Sequence, residues 1–97
     1  MTFTATLFRP YVGTVFSIPL PENREAALRL ESVADGAMGS GGRHEFSLFF
    51  TDTSSASLPQ GTYMLRHTRV GEMFIFLVPI AKTANGHRYQ ACFSGRG

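Results

Sequence analysis

The run Phe74-Ile75-Phe76-Leu77-Val78-Pro79-Ile80 is apolar at odd and even positions alike. Successive side chains of a strand point to opposite faces, so a strand built from this run needs cover on both. The cover must come from the rest of the chain or from another molecule. Gly71-Glu72 leads into the run, and Leu58-Pro59-Gln60-Gly61-Thr62-Tyr63-Met64-Leu65-Arg66-His67 before it reads as the first arm of a β-hairpin. Pro59 and Gly61 punctuate entry to that arm, and Arg66 and Glu72 are placed to face each other across the hairpin as an exposed pair.

Short extended segments recur along the remainder. Thr2 to Leu7 alternates and is β-prone until Pro10 breaks it, and Val12 to Ile18 resumes with Thr14, Phe16 and Ile18 on one face. Arg24 to Val33 is built from good helix formers, and Glu25 and Arg29 stand at the favourable i,i+4 spacing. Yet Ala26, Leu28 and Leu30 alternate with Ala27, Arg29 and Glu31, which favours a strand over a helix. Phe46, Leu48 and Phe50 give a strongly one-sided strand with Phe49 on its reverse, Asn85-Gly86 is a hairpin turn signal, and Tyr89, Ala91 and Phe93 line one face of the last strand. Strands this short, separated by turn signals, predict an all-β fold: a small antiparallel β-barrel or sandwich of six to seven strands. One domain over 1–93 and a flexible tail over 94–97 follow.

Composition narrows the function classes. Nine Phe and three Tyr in 97 residues supply one small core. Eight Arg and one Lys against seven acidic residues leave a net charge of +2, with no basic run, so no nucleic-acid partner is expected. The apolar run from Met73 to Ala81 falls far short of the roughly 20 residues a membrane helix needs, and no basic leader precedes the first apolar stretch. With a single cysteine, Cys92, read as a small buried hydrophobe, the expectation is a cytoplasmic protein without a membrane partner.

No catalytic constellation stands out. Gly39-Ser40-Gly41 lies in a glycine-rich loop rather than a strand-to-helix elbow, and that loop lacks the Lys-Ser/Thr ending of a phosphate cradle. His44, His67 and His87 show no paired metal-ligand spacing, and His67 reads as a turn residue bonded to backbone. Asp52, Glu45 and Glu72 are the carboxylates available for pairing, in a fold with little room for a dry cleft. No enzyme activity, metal or cofactor is therefore expected.

Phe46-Ser47-Leu48-Phe49-Phe50, Leu58-Pro59-Gln60-Gly61-Thr62-Tyr63, His67, Gly71-Glu72, Phe76-Leu77-Val78-Pro79-Ile80 and Tyr89-Gln90-Ala91-Cys92-Phe93, together with Phe8 to Val15, resemble a bacterial family of about 100 residues known only as a domain of unknown function. The resemblance spans nearly the whole chain and implies standalone single-domain proteins, often encoded near phage-tail-collar-like proteins. It brings no catalytic residues with it. Where that family tends to end its last strand in Phe-Asn, this chain has Phe93-Ser94.

Two functions remain. The first is a non-enzymatic module acting by protein contact, as an assembly or adaptor component of a phage-derived or tail-like system, with a partner protein or a second copy as a homodimer. Phe49, Met73, Ile75 and Leu77 are its expected interface, unless Phe3, Phe8 and Tyr11 cover the surplus apolar face within the monomer. The alternative is a small-ligand-binding barrel whose mouth lies under the 36–42 loop, with Arg43, Arg66, Arg88, Tyr63 and Tyr89 around an anionic ligand.

Overall fold

The computed structural model describes residues 3–35, 43–54 and 56–96. Among them six strands form a closed antiparallel barrel: β1 (Val15–Leu20), β2 (Arg24–Asp35), β3 (Arg43–Asp52), β4 (Gly61–His67), β5 (Gly71–Lys82) and β6 (His87–Arg96), in spatial order β1-β2-β3-β6-β5-β4. Every neighbouring pair is antiparallel. The seam between β1 and β4 is recorded by one residue pair, Ser17 opposite Arg66. Pro19, which has no amide to donate, lies just past it.

Alternation fills the lumen. Phe16 and Ile18 of β1, Leu28 and Leu30 of β2, Phe46, Leu48 and Phe50 of β3, Leu65 of β4, Met73, Ile75 and Leu77 of β5, and Tyr89 and Ala91 of β6 are all buried. The arrangement leaves one packed interior rather than a pore. Arg24 to Val33 is strand, as its alternation indicates; packing of Leu28 and Leu30 into the lumen outweighs the helix propensity of its Ala, Leu and Glu residues. The Asn85-Gly86 signal falls in the β5–β6 connection, where the Thr83 amide donates to the Gly86 carbonyl over 2.7 Å.

The first segment departs from its β-prone alternation. Residues Ala5–Phe8 form a single helical turn, α1, capped by the Thr4 hydroxyl, which accepts from the Leu7 amide over 3.1 Å. A 3-10 turn, Arg9–Tyr11, follows with Pro10 near its start, where a missing amide costs nothing. Burial explains the change: Phe8 is fully buried at one end of the barrel, its ring centroid 6.2 to 6.4 Å from those of Phe16, Phe46 and Phe93. Phe46 and Phe93, directly opposed on β3 and β6, stack at 4.8 Å beneath it. A seventh strand would carry Phe8 away from this cluster. At the other limit of the chain, β6 runs to Arg96, opposite Arg43 on β3, and so continues beyond the Phe93 at which the sequence reading ends the last strand.

Because Phe8 plugs the barrel end, Phe8→Ala should lower unfolding stability by about 3–5 kcal/mol in chemical denaturation. A loss below about 1 kcal/mol would show that the end closes without it.

Candidate functional site

Polar and aromatic groups collect at both barrel ends. At the end carrying α1, the His67 ring lies 4.4 Å from the Phe16 ring and 4.9 Å from Tyr11. Its Nδ1 accepts from the amides of Arg69 at 3.0 Å and Val70 at 3.3 Å, which places the ring proton on Nε2. Nε2 donates to the Thr14 hydroxyl at 2.9 Å, and Thr14 in turn donates to the Tyr11 carbonyl at 2.6 Å. The sequence reading of His67 as a turn residue bonded to backbone is realised, and the ring also ties the β4–β5 turn to the segment entering β1. Burial, and then the neighbouring Arg69 guanidinium, hold the His67 pKa below its usual 6.5.

The opposite end is organised by Asp52, the last residue of β3. One carboxylate oxygen accepts from the His87 amide at 3.0 Å and lies 3.4 Å from His87 Nδ1; the other accepts from the Tyr89 hydroxyl at 3.2 Å. Tyr89 oxygen also accepts from the Leu58 amide at 2.8 Å, so the 53–59 connection is fastened to the barrel through one phenol. Burial raises the Tyr89 pKa above 10.0, and the Leu58 amide partly opposes that rise. A Cβ built on Gly86 would lie 2.0 Å from the Asp52 carbonyl oxygen, which explains a glycine in this turn.

These placements settle where the expected ligand residues lie. Tyr89 points into the lumen and spends its hydroxyl on Asp52 and Leu58. Tyr63 donates to the Pro59 carbonyl and lines an open cleft of about 830 Å³ together with Leu20, Arg24, Ala26, Asp52 and Leu58. Arg66 pairs with Glu72 at 3.0 Å, the cross-hairpin pair expected from sequence. Arg88 pairs with Glu31 at 2.7 Å and covers the Phe49 ring at 4.8 Å on the outside of the barrel. Arg43 sits in β3 at the α1 end, and the 36–42 loop proposed as a mouth lies outside the described residues. The structure therefore holds Arg66 and Arg88 in separate ion pairs on the outer wall, while Tyr63 and Tyr89 both lie at the Asp52 end. Among the described residues no cluster of three His, Cys, Asp or Glu side chains is placed to hold a metal ion.

The outer wall carries the remaining chemistry. Met73, Ile75 and Leu77, expected at an interface, face the lumen and are core; the strand is two-sided as read, but its outward side belongs to Phe74 and Phe76. Periodicity alone could not choose between the two sides of a strand that is apolar on both. Phe74 is 73% exposed, Phe76 50% and Ile80 40%. Met64 stands opposite Phe74 on β4, while Gln90 of β6 lies between Val78 and the outward, half-buried Phe49. Phe3, Phe8 and Tyr11 belong to the barrel end and leave this wall uncovered. Cys92, read as a small buried hydrophobe, is exposed on the outer face of β6, opposite Ser47 of β3 with its hydroxyl at 3.6 Å, because Ala91 and Phe93 take the inward positions.

Residues 3–93 match the family described as a domain of unknown function, DUF6916. No curated protein and no solved structure matches the chain.

Two outcomes follow from the barrel ends. His67 is held neutral in the fold, so an unfolded chain binds the extra proton first as pH falls below 6.5; stability from this group is complete above 6.5 and declines as pH drops toward its lowered folded value. Thermal melts should therefore fall between pH 7.5 and pH 5 by more in the wild type than in His67→Gln, and equal slopes would refute the assignment. Gly86→Ala should cost about 1–3 kcal/mol through overpacking against Asp52, read as a lowered melting temperature at neutral pH.

Proposed function

With the chain placed in the DUF6916 family, we propose that it is a non-enzymatic β-barrel module acting by protein contact through the outer wall of β4, β5 and β6. The observation that carries this reading is the exposure of Phe74 and Phe76, at 73% and 50%, on neighbouring outward positions of one strand. A ring left in water forfeits the gain of burial, and a contiguous apolar patch on a small barrel is the usual mark of an interface. The polar groups at the barrel ends support it from the other side: Asp52, Tyr89 and His67 spend hydrogen bonds on fastening the two ends. A tail-like or phage-derived assembly suits a module of this kind, since the proteins it resembles are often encoded near phage-tail-collar-like proteins.

The double variant Phe74→Ser/Phe76→Ser tests the reading. Both side chains point away from the core, so the fold should keep its stability to within about 0.5 kcal/mol. Association with itself or with purified products of adjacent genes, measured by interferometry on immobilised protein, should be lost. Associations that all survive the double change would refute the assignment to this wall.

A further inference from the structure

Gly13 and Thr14 clamp the start of the chain to β2: the Gly13 amide donates to the Leu30 carbonyl at 2.7 Å, and the Leu30 amide to the Thr14 carbonyl at 3.0 Å. Ahead of this clamp, and of the turn that Gly13 makes at a φ of +90°, residues 3–12 run as a strap across the barrel end. Three contacts hold the strap down. Phe3 and Phe8 rest on Phe93, Arg9 forms an exposed pair with Asp35, a kind of contact worth little, and His67 bonds Thr14 and packs on Tyr11. Of these groups His67 alone changes its charge close to neutral pH. We infer that residues 3–12 are an acid-released strap: protonation of His67 on Nδ1 detaches them from the barrel end and uncovers the aromatic hollow of Phe16, Phe46 and Phe93. The inference is independent of the contact reading, which concerns the outer wall.

The hydrogen bonds leave a second ring proton no place. Nδ1 faces two donors, the amides of Arg69 and Val70, and an imidazolium has no lone pair to offer them. The charged ring must therefore leave the turn. Its departure breaks the Nε2 bond to Thr14 and the ring contact with Tyr11, which are its links to the strap. The surroundings do not hold the cation in place. Its own turn presents the like charge of Arg69, the strap presents the Tyr11 ring, β1 presents Phe16, and Gly71 stands opposite on β5. Glu72, the next residue of β5, is engaged by Arg66, and none of the ion pairs among the described residues includes His67. The two aromatic rings attract a cation, but weakly beside two hydrogen bonds lost and two N–H dipoles opposed. The clamp at Gly13 and Thr14 is made by backbone and does not pass through the imidazole, so release stays local to the strap. Once released, His67 returns to its ordinary 6.5, whereas in the closed form burial and then Arg69 keep it lower. The open form therefore takes the proton first as pH falls below 6.5. If the closed form excludes the proton entirely, the open population rises by at most about thirtyfold between pH 7.5 and pH 5.

Amide hydrogen exchange of the full chain at pH 7.5 and pH 5, corrected for the intrinsic pH dependence of exchange, tests the inference. Protection of the strap should fall about tenfold or more in the wild type and less than about threefold in His67→Gln, which carries no charge at either pH. Urea at about 1 M separates local release from unfolding: at pH 5 it should leave exchange in the strap nearly unchanged while speeding exchange in β3 and β6, because local opening exposes little new surface. Strap protection that stays level with pH in the wild type, an equal fall in His67→Gln, or equal acceleration of strap and strands by urea overturns the proposal. An NMR titration of the wild type keeps the test independent of how the variant folds. The His67 ring signal and the strap amides should move with one shared midpoint below pH 6.5, and separate midpoints overturn the coupling.

Discussion

Closure of the sheet is the constraint on which the rest depends. Six strands curled on themselves leave one narrow interior, and every inward position must be filled by a side chain of the right bulk, because unfilled space forfeits both burial and dispersion contacts. Phe16, Leu28, Leu30, Leu48, Phe50, Leu65, Ile75, Leu77 and Tyr89 do this at close to zero exposure. A barrel has two open ends as well as a wall. Each end is closed by a different device, and both devices draw on polar or titratable side chains.

At the first end the cover is aromatic. Phe8 descends from a single helical turn onto Phe16, Phe46 and Phe93, and Arg9 pairs with Asp35 at the tip of β2. The neutral His67 ring links this cover to the β4–β5 turn. At the second end the cover is polar: a buried carboxylate, Asp52, is satisfied by a backbone amide and a phenol, and the phenol fastens the 53–59 connection through Leu58. A charge so deeply placed is tolerable only with such partners. Titratable groups at these ends therefore organise structure, and the surplus apolar surface is displaced to the wall. Phe49, at the margin of that wall, is shielded by Arg88, while Phe74 and Phe76 are bare.

Much of this was legible beforehand because strand alternation is a local property. The one-sided pattern of Phe46, Leu48 and Phe50, the hairpin around Gly71, the Asn85-Gly86 turn and the Arg66–Glu72 pair all need only neighbouring residues to be recognised, and all stand in the structure. The strand over Arg24 to Val33 was likewise readable from the alternation of Leu28 and Leu30, although it is their packing in the lumen that overrides the segment's helix propensity. What failed were choices that depend on distant contacts. Ala5 to Phe8 turns helical because a hollow formed by β1, β3 and β6 receives Phe8, and no feature within that segment announces it. The arginines and tyrosines suggested for a ligand were grouped by type, and only the fold places Tyr63 and Tyr89 at the Asp52 end and Arg66 and Arg88 in ion pairs on the outer wall.

Alternation, turn residues and aromatic content determined by themselves that this chain is an all-β barrel or sandwich with more apolar surface than one interior can hold. Only the tertiary structure decided which side of β5 is inside. A strand apolar at every position reads the same from either face, and the choice is made by register: Leu65 opposite Met73 and Tyr63 opposite Ile75 carry the odd-numbered residues of β5 to the lumen side, and Phe74 and Phe76 outward with Met64 and Thr62.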